Sequence, residues 1–215
     1  MGDKIQVYPK IETLFKRDEK TFKVTDVIRC PEFNNIKNWL ITEKIDGRNQ
    51  RVIFGTKESA PEFKGRTNRA DMPPFLLDRL KEIFTLENYW RVFDNPADVC
   101  LYLEAYGEHI NKGGNYRKGV SFRLFDVWVN GWWLEWANIV AISKGFNIET
   151  VPIIGIMDLD KAVNLIKSGS LYSIVSEKEI DRKDFLAEGI VATAYPLMLF
   201  RNGNPLKWKL KRRDF

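Results

Sequence analysis

Cysteine and histidine are nearly absent from this chain, with two of the first and one of the second in 215 residues. Cys30 and Cys100 stand far apart, without metal-like spacing, so reduced core cysteines of a cytoplasmic protein are expected rather than a disulfide. His109 is expected in a loop, with no metal role. No apolar run reaches the roughly 18 residues that mark a membrane-spanning helix. The N-terminus lacks a signal-peptide pattern, so neither export nor membrane insertion is expected. Internal repeats, low-complexity linkers and a convincing domain boundary are also missing. The economical expectation is one α+β domain over residues 1–215.

What the chain has in quantity is aromatic side chains, seven Trp and fourteen Phe. They suit a bulky core or base stacking. The net charge of +5 permits a polyanionic partner without demanding one.

Residues 1–37 scatter single apolar residues such as Ile5, Leu14, Phe15 and Val24 among charges, which predicts short strands and loops. Trp39-Leu40-Ile41, then Asp46-Gly47, then Val52-Ile53-Phe54 predict a strand, a tight hairpin turn and a returning strand. Lys44 would then stand at a strand end. Ser59 to Arg69 reads as a loop. Asp71 and Pro73-Pro74 predict a capped helix start, followed by Leu76, Leu80 and Phe84 at helical spacing.

Cys100 to Gly107 alternates, with Leu101, Leu103 and Ala105 on one strand face and Tyr102, Glu104 and Tyr106 on the other. Gly113-Gly114-Asn115-Tyr116 reads as a loop. Ser121 to Val129 is a second strand, expected to set Phe122, Leu124 and Asp126 on one face. A helix is expected to end at Gly145. Asp158 can cap another, carrying Leu159, Ala162, Val163 and Ile166 and closed by Gly169. Ala187 to Thr193 reads as a short strand. Near the end Lys207, Lys209 and Lys211 alternate with Leu206, Trp208 and Leu210. That pattern predicts a strand docked in a sheet with at least one lysine inward, where it needs an anionic partner such as a nucleotide phosphate.

Five short segments in order resemble one family, the covalent nucleotidyltransferases, which comprise polynucleotide ligases and mRNA capping enzymes. Lys44-Ile45-Asp46-Gly47 is similar to the family's Lys-x-Asp-Gly nucleophile motif. Glu104-Ala105-Tyr106-Gly107 resembles its third motif, and Phe122 to Val127 its Phe-Asp strand. Glu188-Gly189-Ile190-Val191 and Lys207-Trp208-Lys209 resemble the fourth and fifth. Asn49 stands where DNA ligases and capping enzymes usually have Arg, and in this it looks like the phage and editing type of RNA ligase. Glu43 is also typical of ligases. The chain ends shortly after the fifth motif, so neither a sixth motif nor an OB-fold is expected.

The resemblance implies an α+β nucleotidyltransferase (ATP-grasp-like ligase) fold, with antiparallel sheets flanked by helices. It implies an ATP-dependent RNA ligase in which Lys44 attacks the α-phosphate of ATP to give lysyl-AMP. AMP then passes to an RNA 5′-phosphate, and a 3′-hydroxyl seals the bond with release of AMP. Glu188 would hold Mg²⁺ or Mn²⁺, with Asp46 a second choice. Lys207 and Lys209 would stabilise the phosphate in flight. Glu104 would accept hydrogen bonds from the ribose, Phe122 would stack on adenine, and Asn49 would orient metal-bound water or phosphate. Glu43 is counted with the cofactor-binding residues. Arg66, with Arg69 as the competing choice, would contact phosphate. RNA ends are the implied partners, with Lys211, Arg212, Arg213, Arg117 and Lys118 as candidate backbone contacts. A separate strand-binding protein is a further candidate partner. A DNA ligase or nick-sealing module, a capping guanylyltransferase and an RNA-end-binding module are the competing readings.

Overall fold

The computed structural model describes residues 7–56, 60–111 and 115–215. The expectations for Ile5, for Ser59 at the head of its loop and for Gly113-Gly114 lie outside the described residues. The chain divides into two compact units, Lys10–Ile45 with Pro152–Phe215 and Met1–Pro9 with Asp46–Val151.

In chain order the strands and helices begin with β1 (Phe15–Arg17), β2 (Val24–Ile28), β3 (Trp39–Lys44), β4 (Arg48–Phe54) and β5 (Glu62–Gly65). Two helices follow, α1 (Pro74–Ile83) and α2 (Leu86–Val92). Next come β6 (Val99–Gly107), β7 (Val120–Val129), β8 (Trp132–Trp133), α3 (Trp136–Gly145), β9 (Glu149–Thr150) and β10 (Ile153–Met157). The last elements are α4 (Leu159–Lys167), α5 (Ile174–Ile180), β11 (Gly189–Ala194) and β12 (Lys207–Lys211).

In the unit that carries Lys44, four strands form a sheet in the order β10-β3-β11-β12, every neighbour antiparallel. Alternation gives the sheet two unlike faces. Trp39 and Ile41 of β3, Ile190, Ala192 and Ala194 of β11, and Trp208 and Leu210 of β12 are buried in one cluster with Leu159, Ala162, Val163 and Ile166 of α4. Fully burying one such side chain contributes on the order of 1.5–3 kcal/mol, so this face dictates the register. Asp158 caps α4 by accepting the Lys161 amide at 2.8 Å, and Gly169 follows with φ +70°, both as the sequence predicts. The opposite face takes the alternate residues Thr42 and Lys44 of β3 and the three lysines of β12.

The other unit holds the sheet β5-β4-β6-β7-β8, with β9 parallel to β7. Its core face packs Val52 and Phe54 of β4 and Leu101, Leu103 and Ala105 of β6 against Leu76 and Leu80 of α1 and Ile139 and Ile142 of α3.

Four expectations are corrected. First, β3 and β4 are no hairpin, because they belong to different sheets. β3 is buried along its length and takes partners on both edges, β10 and β11. Gly47 serves close approach instead of a tight turn: a Cβ there would lie 2.2 Å from the Ala105 carbonyl oxygen. Second, the segment read as a loop after residue 59 contains β5, which pairs with β4. Its alternation is short and masked by charge. Third, Asp71 does not cap α1; Pro73 holds the N-cap position without a side-chain bond, and the Asp71 carbonyl accepts from Arg48 at 2.8 Å. Fourth, Asp126 does not share a face with Phe122. Tyr102 pairs with Asp126 while Leu103 pairs with Leu124, so the bulge leaves Phe125 as an extra residue and reverses the alternation beyond it.

Candidate active site

Lys44 ends β3 directly opposite Gly189, and Gly189 in turn faces Lys211 of β12. These three residues make one row across the sheet, and Glu188 immediately precedes it. The Glu188 carboxylate bridges the row, 2.5 Å from Lys44 Nζ and 2.6 Å from Lys211 Nζ. All three side chains are largely buried, at 20, 16 and 18 % exposure for Lys44, Glu188 and Lys211. Burial by itself would raise the Glu188 carboxyl, but attraction to Lys44 and hydrogen bonds from Lys211 and Lys44 outweigh it and hold the group below the ordinary glutamate range. Gly189 permits this geometry, since a Cβ there would fall 2.1 Å from the Leu210 carbonyl oxygen. The Glu-Gly pair therefore lets β11 and β12 close up beside the carboxylate.

Lys209 lies one row further along, opposite Val191, and Lys207 a second row, opposite Thr193. Lys207 is buried. The lysine of β12 that contacts Glu188 is Lys211, while Lys207 and Lys209, expected from the sequence to stabilise the phosphate, lie on the same face further along the strand. The alternation in 206–211 put the three lysines on one face, but only the pairing with Gly189 selects among them.

Glu43, next to Lys44, points to the helix side of the sheet. It is buried, and its carboxylate accepts the Ser173 hydroxyl at 2.5 Å and the Ile174 and Val175 amides at 2.9 and 3.2 Å. These bonds satisfy the first turn of α5. Glu43 is therefore a buried helix anchor rather than a cofactor ligand, and Ser173, its partner, had no signal in the sequence.

In the other unit Asn49 of β4 stands opposite Glu104 of β6, and Glu104 opposite Arg123 of β7. This row lies on the face away from the core. Asn49 Oδ1 is buried with no hydrogen-bond partner among the described residues. An acceptor in that state costs about 1–3 kcal/mol, and it fits a ligand that donates. Arg123 is locked in place, donating to the Tyr106 hydroxyl at 3.2 Å and to Glu149 at 2.5 Å.

Phe122 is elsewhere. It is 1 % exposed, packed in the core cluster with its ring centroid 6.5 Å from that of Phe84. No ring face is left for a base. The ring of β7 on the Glu104 side is Phe125, half-buried and grouped with Tyr8 and Tyr102 at centroid distances of 5.0 and 6.5 Å. Tyr8 also hydrogen-bonds Asp126. Sequence alternation missed Phe125 because the bulge intervenes.

The Asp46-Gly47 segment is held by two residues the sequence did not single out. The Asp46 amide donates to the Tyr116 hydroxyl at 3.1 Å, and Asn111 Nδ2 donates to the Gly47 carbonyl at 2.7 Å and to the Asp46 carboxylate at 3.4 Å. Arg66 and Arg69 are both exposed beyond β5. His109 is an exposed turn residue with φ 67°. Cys30 and Cys100 are both free, and burial pushes the Cys100 thiol up to about 12. No helix among the described residues is long and apolar enough to cross a membrane. Nor do the described residues gather three or more His, Cys, Asp or Glu into a metal-binding group.

Two mainly antiparallel sheets, each backed by helices, define a mixed α+β fold that sets Lys44, Glu188 and Lys211 side by side. A family model for RNA ligases matches residues 37–209, and the chain belongs to the RNA ligase family. Among solved structures, the apo form of a point mutant of Naegleria gruberi RNA ligase superposes with a TM-score of 0.66 at 16% identity, covering 96% of this chain and 56% of that one. Another mutant of the same enzyme, solved with ATP and Mn, gives a TM-score of 0.66 at 18% identity over 95% of this chain and 55% of that one. The present chain therefore spans little more than half the length of these solved chains. A search of curated protein sequences gives no match.

Proposed function

We propose that residues 1–215 form one nucleotidyltransferase domain that carries out the adenylyl-transfer chemistry of an ATP-dependent RNA ligase. The observation that carries this reading is the Lys44–Glu188–Lys211 row, a strand-end lysine held at 2.5 Å by a carboxylate that a second lysine also grips. Lys44 Nζ, its proton released to solvent, attacks the α-phosphorus of ATP in line, forming the N–P phosphoramidate bond as the P–O bond to pyrophosphate breaks. Lys211 and Lys209 stabilise the charge that builds on the phosphate oxygens. AMP then passes to an RNA 5′-phosphate, and a 3′-hydroxyl displaces it.

Glu188 is the residue that would hold Mg²⁺ or Mn²⁺. One carboxylate without a surrounding cage suits a hard cation that keeps most of its water and binds phosphate. When bound, the cation supplies charge neutralisation at the phosphate. On the second unit Glu104 accepts from the ribose, Phe125 takes over the stacking role expected of Phe122, and Asn49 Oδ1 accepts from the cofactor or its water. ATP as the nucleotide is supported by the complex of the Naegleria gruberi enzyme with ATP and Mn. The two unpaired cysteines support a cytoplasmic setting.

Incubation with ATP and Mg²⁺ followed by denaturing mass spectrometry tests the reading. An AMP adduct on Lys44, absent from Lys44→Ala, is the expected result; a folded wild-type protein that takes up no AMP would sink it.

A further inference from the structure

Beyond β12 the chain presents two arginines that the adenylyl-transfer chemistry does not use. Arg212 and Arg213 open a short 3-10 turn, Arg212–Asp214. The turn is pinned from within. Asp214 is buried, pairs with Arg17 at 2.7 Å and accepts the Lys211 amide at 2.9 Å. The Arg212 amide donates to the Glu188 carbonyl at 2.9 Å. With the backbone fixed, both arginine side chains stand exposed. Together with Ile166, Lys167, Gly169 and Phe215 they line an open cavity of about 390 Å³. Lys167 Nζ sits 5.3 Å over the Phe215 ring centroid.

The lining carries three positively charged side chains and no side-chain carboxylate. Asp214 is committed to Arg17, and no carboxylate pairs with Lys167, Arg212 or Arg213 among the described residues. The C-terminal end of α4, from which Lys167 projects, offers about half a negative charge. That offsets little of the three. The volume falls within the roughly 300–1,000 Å³ of ligand sites, and guanidinium forks match phosphate oxygens.

We infer that this cavity binds a phosphodiester of the RNA strand. Lys167, Arg212 and Arg213 take the phosphate oxygens, and Ile166 and Phe215 wall the adjoining sugar or base. The identity of the polynucleotide rests on the RNA-ligase reading; the anion site rests on the cavity itself.

The test measures binding of a 5′-phosphorylated single-stranded RNA by fluorescence anisotropy over a salt series, with lysyl-AMP formation followed in parallel by mass spectrometry. Lys167→Glu and Arg213→Glu are each expected to weaken RNA binding about tenfold near 0.1 M salt and to flatten the slope of log affinity against log salt by about one or more. Lys167→Glu should form lysyl-AMP at the wild-type rate. Lys81→Glu, the same charge change at an exposed site on α1, should weaken binding far less. Unchanged affinity and salt slope in folded variants would overturn the inference, as would an equal loss in Lys81→Glu. A wild-type protein that forms no lysyl-AMP, yet loses RNA affinity on the cavity reversals, would keep the cavity assignment and remove the ligase reading.

Discussion

In the unit that carries Lys44, both carboxylates are held in place: Glu188 joins Lys44 and Lys211, and Glu43 satisfies the start of α5 with three bonds. In the unit that carries Glu104, the strand row instead includes a buried acceptor, Asn49 Oδ1, without a partner. The first arrangement is typical of groups that must be held in one geometry for reaction, since ions buried to this degree are tolerated only when paired. The second leaves hydrogen-bonding capacity unspent on the fold, which is what recognition of a polar ligand requires. Under the proposed function the row in the Lys44 unit serves adenylyl transfer and the row in the Glu104 unit serves nucleotide binding, and each substitution should move one property and spare the other.

The largest effect is expected where the Glu104 unit's core and its outer face diverge along β7. Phe122→Ala should cost about 3–5 kcal/mol of stability, as truncation of a fully buried ring does, with little change in ATP affinity among molecules that remain folded. Phe125→Ala should do the reverse, sparing most of the stability and weakening ATP binding by about tenfold, within the range measured for stacking on an aromatic side chain. Chemical denaturation and nucleotide titration of both variants separate the two. Loss of ATP affinity confined to Phe122→Ala would restore that ring as the stacking partner.

On the chemical side, Glu188→Ala should slow lysyl-AMP formation by about 100-fold or more, the scale seen when a charge-stabilising group is removed. Quenched time courses of label uptake measure it. Lys211→Ala should be more damaging than Lys207→Ala, because Lys211 shares the row of Lys44 while Lys207 is two rows away. The opposite ranking would break the register-based assignment.

How much of this was legible in the sequence follows from what periodicity can and cannot encode. Faces were readable wherever alternation or helical spacing ran unbroken, as in Leu101, Leu103 and Ala105 of β6 or Leu159, Ala162, Val163 and Ile166 of α4. The motif segments around Lys44, Glu104 and Glu188 were also readable, because they are short and distinctive, and the structure sets Lys44 against Glu188. What failed was anything set by long-range pairing. Which lysine of β12 meets Glu188 depends on register against Gly189, and which phenylalanine of β7 leaves the core depends on a one-residue bulge. Whether β3 and β4 pair depends on competition for strand edges that local sequence does not express. Glu43 illustrates the same limit, since its partner Ser173 lies far along the chain. A carboxylate beside a motif lysine reads as chemistry until its bonds are traced.

Glu43 therefore offers a more moderate prediction. Glu43→Gln keeps the shape but loses charge-assisted bonds to the α5 start, and should cost about 2 kcal/mol of stability. Protein that remains folded should still form lysyl-AMP. A fall in ATP affinity with unchanged thermal stability would return Glu43 to the cofactor-binding set.

The smallest expected effect is a pH dependence carried by Glu188. Its carboxyl is held below the ordinary glutamate value, which is about 4.3 in an unfolded chain. In this window the unfolded chain binds more protons than the folded one, so stability rises with pH. The contribution is complete above the unfolded value and is lost as pH falls through the lower folded value. Glu188→Gln removes that titration, so wild type should lose more stability than the variant on acidification from pH 5 towards pH 3. The difference should also shrink as salt is added, because Lys44 and Lys211 retain partial contact with solvent. Urea melts of both proteins at several pH values provide the comparison. Parallel curves would mean that the Lys44–Glu188–Lys211 row does not hold its charges together in the free protein, and the contrast between a bonded row in one unit and an unpartnered acceptor in the other would fail at its strongest point.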